Sequence, residues 1–285
     1  MSKTAAIKTT VKKSVRSLLP LAVRKHLSLW VNKQKWLDSN RRSWWSLELI
    51  HDLAEKNIND YHKFLWSHHL SYAAPYEVAA TFGRENIKQS RLIFFSDLTE
   101  HLTGRSLDPR KDIVSVFEVG CSLGYQLRYL ETDVFPAASM LEGVDIDAHA
   151  IRTGSEYLTQ AGSKVRLQSA DMEELERFLE NRRYDIMLCT GVLMYLKEEE
   201  ASRVVDIMLR HTDIMLGFSG LAHPDIDNAR LEHSVPRESD QSFIHNIDSM
   251  VRKSGGEIVA RRWEGAKLVD GHTIYFVFAS KTTRI

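Results

Sequence analysis

The chain has 285 residues, 43% of them hydrophobic and 27% charged, with a formal net charge of zero. These figures argue against a disordered chain and for a sizeable core, in one large domain or one domain with a substantial appendage. Only two cysteines occur, Cys121 and Cys189, which argues against a disulfide scaffold and for a reducing, cytoplasmic setting.

The charge is unevenly spread. Residues 1–45 carry eleven Lys and Arg against the single acid Asp38, so the remainder is net acidic. Within "VKKSVRSLLPLAVRKHLSLWVNKQKW", Val11, Val15, Leu18, Leu19, Val23, Leu27, Trp30 and Val31 form one apolar stripe, which Pro20 should kink or split. A basic, Trp-bearing amphipathic segment suits peripheral contact with an anionic membrane through residues 1–40. It equally suits packing on its own domain or an oligomer contact. Nucleic acid is disfavoured, because the later part of the chain lacks basic patches interleaved with aromatics. The start is also acid-poor and Ser/Thr-rich, as a mitochondrial transit peptide would be. It lacks the apolar core of a secretory signal, and no apolar run reaches the roughly 18 residues that span a bilayer.

Up to about residue 105 the pattern is helical, with Ile58, Tyr61, Phe64, Leu65 and His68 on one face. Ile87, Arg91, Phe94, Phe95, Leu98 and Leu102 repeat the spacing. The stretch "YHKFLWSHHLSYAAPYE" gathers His68, His69 and Tyr72 around a turn, and these are candidates for contact with substrate from a lid. Residues 103–112, with Gly104 and Pro109, read as a linker between a helical extension (1–110) and a second domain (111–285).

From residue 113 short β-rich runs alternate with helical ones. Strands are expected at 113–119, 140–146, 164–169, 184–190, 213–218, 257–263 and 273–279. This predicts an α/β fold, a doubly wound, mostly parallel seven-stranded sheet. "EGAKLVDGH" reads as a turn, so the last two strands should form an antiparallel terminal hairpin. Ligands of such sheets bind beyond the carboxyl ends of the strands.

The stretch "VFEVGCSLGYQL" (116–127) passes from an apolar run through Glu118 into a turn bearing Gly120 and Gly124. A dinucleotide fingerprint would need glycine also at Ser122 and Tyr125, and no Gly-Lys-Ser/Thr follows for a phosphate loop. "EVGCSLG" instead resembles the acid-x-Gly-x-Gly-x-Gly motif of the class I S-adenosylmethionine-dependent methyltransferases, with Ser122 at the second glycine. "LEGVDID", "QSADMEEL" and "YDIMLCTGVLMYL" resemble the family's second, third and fourth strand motifs, in order.

The resemblance implies S-adenosyl-L-methionine as cofactor and S-adenosyl-L-homocysteine as product. A carboxylate can accept from both ribose hydroxyls, which suits Asp145, although Asp145 or Asp147 can also cap the following helix. Asp171 suits the adenine amino group, with capping of the next helix as its rival, and Ile146 and Met172 suit the faces of the ring. Gly120 and Gly124 let the turn approach the amino-acid end of the ligand, and Glu118 lies near its ammonium. Cys121, Ser122 and Thr190 complete the expected cofactor residues, the cysteines reading as packing residues rather than nucleophiles.

Transfer to a hydroxyl requires a base. His223, after the fifth strand, His245, before the last helix, and Tyr195, after the fourth strand, are the candidates, with Asn246 as a substrate contact. No metal-ligand spacing is present, so no metal is expected. The expected function is O-methylation of a sugar, glycan or other small-molecule acceptor, in the cytoplasm or at a membrane surface. The alternatives are a lipid- or carbon-directed methyltransferase and a non-catalytic cofactor-binding subunit.

Overall fold

The computed structural model describes residues 19–70, 87–237 and 240–282. The chain divides into two compact units, residues 1–78 and 79–285.

In the first unit α1 (Leu21–Asn32), α2 (Ser39–Lys56) and α3 (Ile58–Ser67) follow one another. Asp38 starts α2 by accepting from the Arg41 N–H, and Asn57 starts α3 by accepting from the Asp60 N–H, as side chains do at helix N-termini. Ile50, Leu53, Tyr61, Phe64 and Leu65 form its core. Leu21 and Leu29 of α1 pack against this core, and polar contacts join α1 to α2 beside them. Arg24 donates to the Leu49 carbonyl at 3.0 Å and pairs with both oxygens of Asp52. Each of Ser28 and Ser46 donates to the other's carbonyl. These pairings run α1 and α2 antiparallel, and the expected apolar stripe is divided, with Leu19, Leu27 and Val31 half-buried. Arg24 and Ser28 are buried, while Val23 and Trp30 of the apolar stripe are exposed. The expected stripe residues before Leu19 lie outside the described residues.

The second unit opens with α4 (Gln89–Gly104), whose Phe94 packs edge-on against Phe276 in the core. The boundary therefore falls before this helix rather than near residue 110. The strands follow as β1 (Ser115–Val119), β2 (Met140–Asp145), β3 (Arg166–Ser169), β4 (Tyr184–Thr190) and β5 (Thr212–Gly220). Between them lie α5 (Tyr125–Tyr129), α6 (Ala148–Gln160), α7 (Leu175–Leu179) and α8 (Glu198–His211). A small hairpin of β6 (Val235–Arg237) and β7 (Ser242–Ile244) precedes α9 (Ile247–Lys253), β8 (Gly256–Val269) and β9 (His272–Lys281).

The seven-stranded sheet has the order β3-β2-β1-β4-β5-β9-β8, with β1 to β5 parallel and β9 antiparallel to both of its neighbours. The terminal hairpin is thus as expected, but β8 runs on to Val269 and the reversal is confined to Asp270 and Gly271, both at positive φ. Both faces of the sheet are buried, one beneath Phe94, Leu98 and Leu127 and the other beneath Val204, Met208 and Val251. The order changes direction between β1 and β4, so the carboxyl ends of those strands open a crevice.

Candidate functional site at the carboxyl ends of β1, β2 and β4

The turn after β1 takes three residues through the left-handed region, Gly120 (φ 75°), Ser122 (φ 49°) and Gly124 (φ 77°). A Cβ on Gly120 would lie 2.3 Å from a Val192 methyl, so glycine is required there for space as well as conformation. Ser122 follows the same backbone path without being a glycine, and its hydroxyl makes no hydrogen bond to any described residue. Its N–H donates to Asp145 Oδ2 at 2.8 Å. Asp145 Oδ1 accepts from the Asp147 N–H at 2.9 Å. Burial raises the Asp145 carboxyl, and these two backbone donors counter the effect. Each oxygen keeps acceptor capacity for a further donor.

Capping of α6 falls to Asp147, which accepts from the N–H groups of His149 and Ala150. Ile146 is half-buried beside Asp145. Asp171 does cap, accepting from the Glu173 N–H at 3.1 Å, and Met172 packs partly into the core.

Glu118 is fully buried. Gln126 Nε2 donates to Glu118 Oε1 at 2.9 Å and to Thr190 Oγ1 at 3.0 Å. Thr190 Oγ1 donates to the same Glu118 oxygen at 3.4 Å. Glu118 Oε2 is buried without a hydrogen-bond partner. Desolvation pushes its carboxyl up to about 8, against a counteracting pull from the Arg91 guanidinium. Arg91, on α4, donates from Nη1 to Ser219 Oγ at 2.9 Å, and its Nη2 lies close over Gly191. Gln126, Arg91 and Ser219 were not expected among the site residues. Arg91 looks like any other position on a buried helical face, and its partner is 128 residues away.

Four expectations are corrected. The Cys121 side chain points into the core, and burial raises its thiol well above the ordinary range. Its N–H is taken by the Val144 carbonyl, so neither its side chain nor its N–H is left for a ligand. His245 is buried, with Nδ1 2.7 Å from Ser234 Oγ and Nε2 2.9 Å from the Leu193 carbonyl. Burial holds its pKa below the ordinary value, and it fastens β7 to the loop after β4 rather than waiting as a base. His223 Nδ1 accepts from the N–H groups of Asp225 and Ile226, so the neutral ring carries its proton on Nε2 and presents a donor. Asn246 caps α9 through Ser249 and donates to the carbonyls of Ala229 and Leu231, which commits its side chain to structure.

Tyr195 is half-buried in the turn after β4. In the first unit, His68 Nδ1 lies 3.0 Å from the Phe64 carbonyl of its own helix, and His69 follows at a positive φ of 51°. Tyr72 lies outside the described residues. Among the described residues, no three His, Cys, Asp or Glu side chains converge as a metal site.

The family described as "Methyltransferase domain" matches residues 116–213, the span from β1 into β5. No curated protein matches the sequence. Among solved structures, the chain is similar to an S-adenosylmethionine-dependent methyltransferase from Clostridium acetobutylicum ATCC 824. The identity is 11% and the TM-score 0.52, covering 74% of this chain and 98% of that one. It is also similar to magnesium protoporphyrin IX methyltransferase from Synechocystis PCC 6803 with bound S-adenosylhomocysteine. There the identity is 14% and the TM-score 0.50, over 68% of this chain and 84% of the other. At these identities the likeness is one of fold. Residues 116–213 thus match a methyltransferase-domain family, and the fold is shared with solved S-adenosylmethionine-dependent methyltransferases.

Proposed function

We propose that the chain binds S-adenosylmethionine across the carboxyl ends of β1, β2 and β4. The methyl acceptor is a hydroxyl of a small molecule, a sugar or glycan. The observation that carries the cofactor reading is Asp145. Its oxygens fix the β1 turn and the α6 entry through backbone N–H groups, and they retain lone pairs suited to a ribose diol. The buried, unpartnered Glu118 Oε2 fits an ammonium group, and the Arg91 guanidinium fits a carboxylate. When bound, the cofactor supplies an electrophilic methyl group.

The protein's share is to hold the acceptor in line, exclude water and receive a proton. His245 and His223 are held by the hydrogen bonds described above, and the reading assigns the proton to Tyr195, half-buried after β4. The polar Arg91–Ser219 pair beside Gly191 supports a hydroxylated acceptor over an apolar one. Calorimetry with S-adenosylhomocysteine tests binding, and the absence of binding overturns the reading. Tyr195→Phe should lower kcat at least tenfold on a hydroxyl acceptor while leaving cofactor affinity unchanged. Cofactor binding without turnover on hydroxyl, lipid or carbon acceptors would replace the enzyme reading with that of a binding subunit.

A further inference from the structure

Four of the six tryptophans in the chain fall between residues 30 and 45. The antiparallel pairing of α1 with α2 brings them to one place. Arg24 meets Asp52 and Leu49, and Ser28 meets Ser46, so Trp30 falls level with Trp44 and Trp45 towards the connected end of the pair. Trp36 sits on the connection itself. All four are exposed, Trp30 by 56% and Trp36 by 73%. Lys33, Lys35, Arg41 and Arg42 share this end of the hairpin with the single acid Asp38. Val23 extends the exposed apolar surface along α1. Arg24, Ser28, Leu21 and Leu29 lie on the packed side of α1, and Val23 and Trp30 remain on its exposed side.

We propose that the α1–α2 hairpin tip is a docking site for an anionic lipid surface, with the tryptophans seated at the headgroup level and the cations on lipid phosphates. The chemistry of the tip selects this occupant. Indole rings carry an apolar body with one N–H donor and partition to the membrane interface. Clustered Lys and Arg add attraction to acidic lipids, each worth about a fivefold change in partitioning. A solely acidic protein partner would match the charge but leave four indoles unexplained. An apolar partner would bury Lys33, Lys35 and Arg42 without countering their charge. No helix among the described residues is long and apolar enough to cross a membrane, so the contact is with the surface. This places the lipid contact at the tip, rather than along the basic segment ahead of Leu19, and it is independent of the methyl-transfer reading.

The test is co-sedimentation of the full chain with phosphatidylcholine vesicles, with and without 30% phosphatidylglycerol, in low and high salt. The wild type should sediment with the acidic vesicles and be released by salt. A Trp30→Ser, Trp36→Ser double variant and a Lys33→Glu, Lys35→Glu double variant should each bind at least tenfold more weakly. These are surface positions, so the variants should keep the wild-type melting temperature and affinity for S-adenosylhomocysteine. A Lys12→Glu, Lys13→Glu control should bind as the wild type does. The proposal is overturned if the tip variants sediment like the wild type, or if only the Lys12/Lys13 control loses binding. It is also overturned if the wild type ignores acidic vesicles, whether or not it forms a tip-dependent dimer.

Discussion

The Ser122 N–H and Asp145 Oδ2 stand 2.8 Å apart, so the turn that ends β1 is held by the residue that ends β2. The side chain proposed to hold a ribose also fixes the path of the glycine turn. Asp145→Asn turns one acceptor into an NH2 group facing a backbone N–H. We expect S-adenosylhomocysteine affinity to fall at least tenfold in calorimetry, with a stability loss of about 1–3 kcal/mol in denaturant unfolding.

Ser122 occupies a left-handed conformation that glycine adopts without strain. Ser122→Gly should stabilise the protein by about 0.5–1 kcal/mol and raise the melting temperature by about 1–3 °C. The N–H that reaches Asp145 is retained, so cofactor affinity should not change. A lower melting temperature would show that the hydroxyl makes a contact worth more than the strain.

Glu118 titrates near 8 because burial disfavours its charged form. Since the folded value lies above the unfolded one, the stability it contributes is complete below about pH 4.5 and is lost as pH rises towards 8. Glu118→Gln should flatten the fall of melting temperature across that window. An ammonium bound beside Glu118 favours the carboxylate, so at pH 7 cofactor binding should release a proton. The binding enthalpy will then depend on the ionisation enthalpy of the buffer in the wild type and lose that dependence in Glu118→Gln.

Gly154, on α6, shows how closely this helix approaches the turn. A Cβ there would lie 2.2 Å from the Leu123 carbonyl oxygen. Gly154→Ala must displace either the helix or the turn, and overpacking of this kind costs about 1–3 kcal/mol. Weaker S-adenosylhomocysteine binding should accompany the lower melting temperature. An unchanged affinity would separate the turn's position from its function.

Four of the five parallel strands were legible in the sequence because each is a short apolar run that ends at a turn residue or an acid, whereas β3, Arg166–Ser169, is mostly polar and exposed. Asp145, Gly120 and Gly124 were legible for the same reason, since a strand end places them. The extension of β8 was not. Gly265 reads as a turn residue, yet it lies within the strand, where a Cβ would meet the His223 carbonyl oxygen at 2.3 Å. The β6–β7 hairpin, three residues a side with Pro236 in one strand, carries too little alternation to announce itself. The histidines failed for another reason. Loop position suggests access, but the partners that immobilise His245 are Ser234 and the Leu193 carbonyl, brought to it by tertiary packing.

The placement of β9 between β5 and β8 bears on how the protein is made. Residues 212–220 leave the ribosome before residues 272–281, so for about sixty residues of synthesis β5 has an unsatisfied, strongly apolar edge. Such an edge recruits strands from other chains. Products truncated between α9 and β9 should therefore aggregate, although their methyltransferase motifs are already complete.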